Sequence, residues 1–269
     1  MRINPKNIKI HIILIIFGSL ISIPIIIVLF SSFRNTDAKC VGVFCGVIQN
    51  YSTPLSHPFF ATGFLNSIII TIPSVVLVLF IASLTGFALS KLNLIGKEII
   101  FPIFLLGLML PVSAIIIQLF LLIIRLNLLN NRLAVILPGI SLTMPFGLLV
   151  IKNYMDDLPN DIVEASVIDG CSPFTIYSRV VLPLSLPALA AVTIFTFLNA
   201  WNEFLLPLVA LRNTDLFPVT KIPTFFLGRF ARNYPMFFAS FVIITLPVVV
   251  MYVFLQKYFI KGLTAGAIK

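Results

Sequence analysis

Residues 152–186 read KNYMDDLPNDIVEASVIDGCSPFTIYSRVVLPLSL. This is the longest clearly polar stretch of the chain, and long apolar runs close on it from both sides. Asp156, Asp157, Asp161, Glu164 and Asp169 fall within it, five of only nine carboxylates in the sequence. The local pattern predicts helix, turn, helix. Asp161, with Glu164 three residues on, has capping-box spacing and follows Pro159. A short helix is expected over residues 162–169, with Gly170 as its left-handed stop. Ser172-Pro173 has the form of a second N-cap with proline at the first helical position. The second helix is expected to run to Val181 and to end at Leu182-Pro183.

Outward from this segment the chain is apolar. Of 269 residues, 59 % are hydrophobic and 10 % charged, and the mean hydropathy is +1.12. A soluble domain needs far more polar surface than that. Six apolar runs stand out near residues 9–33, 63–90, 98–124, 133–151, 187–210 and 237–257. Each matches or exceeds the roughly 18–20 residues needed to cross a bilayer, and backbone groups in lipid must be bonded internally, so all are expected to be helices. The expectation is an all-α membrane protein of six spans. Ile8 to Phe33 is too long for a cleavable signal and reads as a retained first span. Pro24, Pro73, Pro111, Pro138, Pro145, Pro207 and Pro247 all fall within predicted spans, where each can kink its helix. Pro138-Gly139 and Pro145-Phe146-Gly147 make the fourth span the most breakable. Such prolines are either an ordinary feature of membrane helices or the kinks of spans that line an alternately opening cavity.

The net charge of +9 does not indicate nucleic-acid binding, because the basic residues stand singly at the ends of apolar runs, as membrane-flanking anchors do. They divide almost evenly between alternate loops; Arg2, Lys6 and Lys9 ahead of the first run favour a cytoplasmic N-terminus. His11 and His57 are isolated, so no zinc site is expected. Cys171 is expected to be an unpaired thiol. Cys40 and Cys45 share the first loop, and if that loop is external they either form a local disulfide or stay free.

The acidic hairpin discriminates between two uses. An anionic cytoplasmic leaflet attracts Lys and Arg and repels an acidic surface. Small Ala165 and Ser166 and apolar Ile162, Val163 and Val167 suit a protein cleft. Docking against another protein is therefore favoured over a lipid-lying or merely solvated loop.

The same residues carry a resemblance. Glu164-Ala165-Ser166-Val167-Ile168-Asp169-Gly170, followed by Val180 and then Leu182-Pro183, resembles the EAA motif of binding-protein-dependent ABC importer permeases, with Ser166 and Val180 as conservative departures. Asp169-Gly170-Cys171-Ser172, Trp201-Asn202-Glu203-Phe204 with Pro207-Leu208, and Gly86-Phe87-Ala88-Leu89-Ser90-Lys91 resemble further segments of the carbohydrate-uptake branch. Gln256 to Ala267 resembles the tail of the maltose-type subunit. The resemblance covers nearly the whole chain. It implies a type I importer permease fold: an N-terminal span and first external loop over 1–62, and a core of five spans over 63–269. The core would contain the coupling loop 152–186 and a C-terminal tail, 258–269.

The resemblance also implies a mechanical role. Two ATPase subunits would bind ATP and Mg, a second homologous permease would sit alongside, and an extracytoplasmic solute-binding protein would deliver a sugar or oligosaccharide. This chain would bind no cofactor; Gly96-Lys97 is followed by Glu98 and has no P-loop upstream. Glu164, Ala165, Ser166, Asp169, Gly170, Leu182 and Pro183 would form the ATPase coupling site. Both termini would be cytoplasmic in the cell membrane. Asn199, Trp201, Asn202, Glu203 and Asn66 are candidates for the translocation path, with helix packing as the alternative use; Gln118 is a weaker one. Lys261, Gly262, Thr264 and Gly266 in the tail would either anchor at the interface or reach the ATPase subunits. Residues 212–236, with Arg212, Lys221, Arg229 and Arg232, would meet the binding protein or stay solvated. An ion-coupled secondary transporter is the rival, but only Glu203 lies clearly within a span and no internal repeat is visible. A membrane enzyme would need convergent reactive residues, and there are none.

Overall fold

The structure is a computed structural model. It describes residues 5–34, 46–227 and 233–265, with side chains described for 10–34, 46–227 and 233–256. Cys40 and Cys45, and with them the disulfide alternative, lie outside the described residues, as do Arg229, Arg232 and Gly266. No β-strand occurs among the described residues.

The helices are α1 (Pro5–Ser32), α2 (Val47–Ser56), α3 (Pro58–Lys91), α4 (Lys97–Leu106), α5 (Val112–Arg125), α6 (Leu133–Asp156), α7 (Asn160–Ile168), α8 (Pro173–Ile176), α9 (Leu182–Leu184), α10 (Leu186–Asn202), α11 (Leu205–Ala210) and α12 (Tyr234–Ala265). A 3-10 turn, Gly107–Met109, extends α4, and a π turn, Tyr177–Val181, joins α8 to α9. Among the described residues five stretches are apolar and long enough to cross a bilayer: 10–32 in α1, α3, α6, α10 with α11, and 234–256 in α12.

The third expected span, over residues 98–124, is not one straight helix. Lys97–Met109 and Val112–Arg125 meet at a bend of 100°. The cause is Pro111: Leu110 before it is extended (φ −89°, ψ 108°), the conformation a following proline favours, and Pro111 then caps α5. Neither arm, at 1.5 Å per residue, reaches across a hydrocarbon core about 30 Å thick. The fourth span behaves in the opposite way. Despite Pro138 and Pro145, α6 runs unbroken for 24 residues. It is the most buried of the spans. Pro145 is itself packed inside, its ring close enough to Gly107 that a Cβ there would meet it at 2.9 Å. Packing against its neighbours thus holds Pro145 in place.

The chain forms two compact units, 1–61 with 221–246 and 62–220 with 247–269. In the first, the Asn50 amide donates to the carbonyls of Ser32 and Arg34, both at 2.9 Å, and His57 stacks on Phe225 with centroids 4.9 Å apart. None of α1's most apolar window is buried within the chain. The second unit holds the main apolar core, in which Val78, Ala82, Leu148, Ile151, Met155, Val192 and Leu206 are fully enclosed. Gly147 lets α3, α6 and α10 meet: a Cβ there would stand 3.2 Å from both Val78 and Val192.

Candidate functional site

The hairpin expected from residues 152–186 is present, with two local differences. The first arm begins two residues early, at Asn160, with Pro159 as N-cap and no side-chain capping bond. Asp161 is therefore inside the first turn, and the expected capping box with Glu164 does not form. Pro159's fixed φ sets the entry angle instead, and Asp161 still faces the positive helix end. The second difference is at Leu182-Pro183, which does not end the second arm. Pro183 occupies the opening turn of α9, where a missing N–H costs nothing. The chain then passes through buried Ser185, whose N–H and hydroxyl both donate to the Val181 carbonyl, at 3.0 and 2.8 Å, into α10.

The turn itself is as expected. Gly170 has φ +78°. Cys171 N donates to Ser166 O and Gly170 N to Val167 O, both at 3.0 Å, the paired bonds of a Schellman stop. Ser172 caps the second arm by accepting from Thr175 N at 3.3 Å, with Pro173 following. Cys171 is a free thiol, half-buried.

The hairpin tip faces outward. Glu164, Ala165, Asp169 and Gly170 are exposed, and Ser166 turns its hydroxyl back to Ile162 O at 2.8 Å. Ile168 and Phe174 are 86 % and 68 % exposed. Among the described residues Glu164 has no hydrogen-bond or ion-pair partner, though it lines a groove with Ser90, Asn93, Lys97 and Asn160. The roots, by contrast, are tied down. Lys91 Nζ donates to Leu158 O at 2.7 Å and to Asn160 Oδ1 at 2.9 Å, and the Tyr177 hydroxyl meets Ser83 Oγ at 2.7 Å.

A second feature lies where the fifth span breaks between α10 and α11. Glu203 is extended there (φ −62°, ψ 124°), and its Oε1 accepts from Leu206 N at 2.9 Å, so the carboxylate caps α11. Beside it is a cavity of about 160 Å³ lined by Ser74, Thr143, Phe146, Thr196, Asn199 and Glu203 among others. The Thr196 hydroxyl is buried without a partner. Asn202 lines an open groove next to Asn199 and Glu203.

The five candidates for a path thus separate. Asn199 and Glu203 border the cavity and Asn202 its neighbouring groove. Trp201 is 2 % exposed, stacked on Phe197 and edge-on to Phe64. Asn66 is also 2 % exposed. Its amide donates to the carbonyls of Asp215 and Phe217, at 2.7 and 3.0 Å, while its Oδ1 accepts Nε and Nη2 of Arg132, at 2.9 and 2.7 Å. Gln118 lies within α5. Nothing in the spacing of Arg132 announces the Asn66 contact, 66 residues away. Lys261, Gly262 and Thr264 belong to the helical end of α12. Among the described residues no cluster of His, Cys, Asp or Glu is placed to hold a metal.

A helical chain with long apolar spans and an outward-facing capped hairpin has the build of a transporter's membrane subunit. Residues 82–265 match the family described as the binding-protein-dependent transport system inner membrane component, and the chain belongs to it. It is the permease subunit of an ABC importer, a multi-pass membrane protein and not an enzyme. The arabinooligosaccharides transport system permease protein AraQ of Halalkalibacterium halodurans is 39 % identical over 208 residues, covering 77 % of this chain and 74 % of the relative. The diacetylchitobiose uptake system permease protein NgcG of Streptomyces coelicolor is 28 % identical over 265 residues, covering 96 % and 88 %. The same fold occurs in the crystal structure of a bacterial ABC transporter involved in the import of the acidic polysaccharide alginate, with TM-score 0.78, 23 % identity, and 96 % and 99 % of the two chains covered. Family membership sets aside the ion-coupled secondary transporter.

Proposed function

We propose that this permease passes a sugar or oligosaccharide, delivered by an extracytoplasmic binding protein, and that the 160–184 hairpin receives the force of ATP hydrolysis from partner subunits. ATP and Mg belong to two ATPase subunits, and a second homologous permease completes the path. The relatives named for arabinooligosaccharide and diacetylchitobiose transport support the substrate class.

One observation carries the coupling role: a rigid, doubly capped hairpin presents an unpartnered Glu164 between exposed apolar side chains. In a partner's cleft that carboxylate pairs with a basic group, and removing one member of a desolvated pair costs on the order of 3–5 kcal/mol. Ala165 and Ser166 allow close approach, Asp169 and Gly170 form the elbow, and Leu182 and Pro183 carry its motion toward α10. A hairpin docked on an ATPase is cytoplasmic, and with the bent pair 97–109 and 112–125 counted as one broken span among six crossings, both termini are cytoplasmic too. Lys261, Gly262, Thr264 and Gly266 then belong to a tail on the ATPase side. The cavity bordered by Asn199 and Glu203 is smaller than the roughly 300–1,000 Å³ usual for a ligand site. This chain therefore supplies part of the path, and Asn202 extends it toward the neighbouring permease. Trp201 and Asn66 serve the path indirectly, by holding its walls. Alternating access follows as rigid-body motion of the spans when the ATPases close.

The test is to purify the assembled complex and screen oligosaccharides, with their binding protein, for stimulation of its ATPase and for uptake into proteoliposomes. Stimulation by a sugar is expected. Stimulation only by an amino acid, peptide or inorganic ion would overturn the substrate class.

A further inference from the structure

The segment Gly86–Lys91 has no task in the mechanism above, yet both roots of the hairpin are fastened to it and to Ser83. The Lys91 ammonium holds Leu158 O and Asn160 Oδ1, the two residues that flank Pro159, where the first arm begins. Tyr177 opens the π turn where the second arm leaves α8. Its hydroxyl is bonded to Ser83, and its ring packs on Phe87 with centroids 5.5 Å apart; Ser83, Phe87 and Tyr177 are all buried. Between the two clamps, Gly86 lets α3 lie against α6: a Cβ there would stand 3.2 Å from Ile151 and 3.4 Å from the Lys152 backbone nitrogen. Residues 83, 86, 87 and 91 recur at helical spacing, so a single face of α3 makes all these contacts.

We propose that the last two turns of α3 receive the hairpin's motion, and that Lys91 is the positioning residue that makes hairpin and second span move as one body. This rests on the coupling role proposed for the hairpin. A push on a hairpin joined only through its flanking helices would be partly lost as bending at Pro159 and at the π turn. The two clamps bridge those two compliant points, one each. Lys91 grips the first through two charge-assisted bonds, which are stronger than neutral ones. The competing use of Lys91, an ammonium snorkelling to the membrane interface, requires its charge but not its two acceptors.

The experiment uses the complete complex in proteoliposomes and reads solute moved per ATP hydrolysed. Lys91→Met is expected to lower that ratio roughly tenfold while the complex still assembles, and Lys91→Arg to recover most of it. Asn160→Leu, which removes one acceptor and no charge, is expected to lower it about threefold. Lys97→Met, which deletes a charge that makes no bond among the described residues, should leave it unchanged. A wild-type ratio in Lys91→Met, or in Asn160→Leu, overturns the proposal. Should Lys91→Met fail to assemble, Tyr177→Phe decides: it deletes one hydroxyl from the second clamp, and normal coupling in it is equally fatal. Glu164→Lys in the same assay separates the two claims. If it couples normally, the hairpin's coupling role fails and this inference falls with it. If it uncouples while Lys91→Met does not, only this inference falls.

Discussion

The first turns of α3 and its last turns are both gripped by distant segments, but the two grips are finished differently. At the start, Asn66 spends its amide on two carbonyls of the 215–217 turn and on the fork of Arg132, and Ser67 accepts from Val219 N at 2.9 Å. Asn130, in a left-handed conformation (φ 61°), adds bonds to the backbone nitrogens of Arg212 and Asn213. Every polar group named there finds its partner within the chain. At the end, some 25 residues and about 37 Å of helix away, the bonds close only at the hairpin's roots. Its tip leaves Glu164, Ile168 and Phe174 facing out. A closed network specifies a fixed shape, whereas an open, rigid surface specifies a partner.

That contrast is broken most severely at the open end. Glu164→Lys is expected to leave the protein in the membrane while abolishing ATP-dependent uptake, and Gly170→Val should do the same. Valine at φ +78° is strained whatever the free space around it, so the elbow must open and the two arms lose their angle. Uptake near wild type in either variant refutes the coupling assignment. At the closed end the loss should be of stability instead. Asn66→Leu strands the Arg132 fork and two carbonyls, and each buried group left unsatisfied costs about 1–3 kcal/mol. A clear fall in thermal midpoint in detergent is expected, with solute per ATP unchanged in the protein that survives. A fall in that ratio without a fall in stability would mean the first turns of α3 also belong to the drive train.

How much of this was legible follows from how local each cause is. The Gly170 stop and the Ser172-Pro173 cap depend on neighbouring residues, and both were readable. So were the apolar runs, because bilayer thickness acts on the sequence directly. The capping box misled because Pro159 competes for the same N-terminus, and a three-residue spacing does not reveal which residue wins. Proline in a span was ambiguous for a different reason. Pro111 lies between two lightly buried arms and bends the chain by 100°, whereas Pro145 is clasped in the core against Gly107 and bends nothing visible as a break. The outcome is set by packing, which no local pattern encodes. The Asn66–Arg132 and Tyr177–Ser83 contacts span 66 and 94 residues. Lys91 was inside a quoted motif, but its acceptors were not visible from its neighbours.

Gly107→Ala tests the packing argument directly. The new methyl would meet the Pro145 ring at 2.9 Å, and a ring held within a helix has little room to retreat. Overpacking of this kind costs about 1–3 kcal/mol, so a moderate loss of thermal stability is expected, smaller than for Asn66→Leu. An unchanged midpoint would mean that the bent arm 97–109 yields freely.

The smallest effect is expected at Ser172, and it returns to the open end. Ser172→Ala removes the acceptor for Thr175 N and the 2.9 Å contact with the Thr175 hydroxyl. Cap losses of this type cost about 0.5–2 kcal/mol. Here the low end applies, because the residue is exposed, water can replace the bond, and Pro173 still holds its φ for the first turn. The expected outcome is faster amide exchange confined to Thr175 and Ile176, with coupling within about twofold of wild type. The Gly170 stop and the Tyr177 clamp flank this turn and would keep the hairpin's outline while its cap frays. If coupling instead fell as far as in Gly170→Val, the hairpin would have to be a cooperative unit whose rigidity depends on every cap, and the division between fixed roots and a presenting tip would be too coarse.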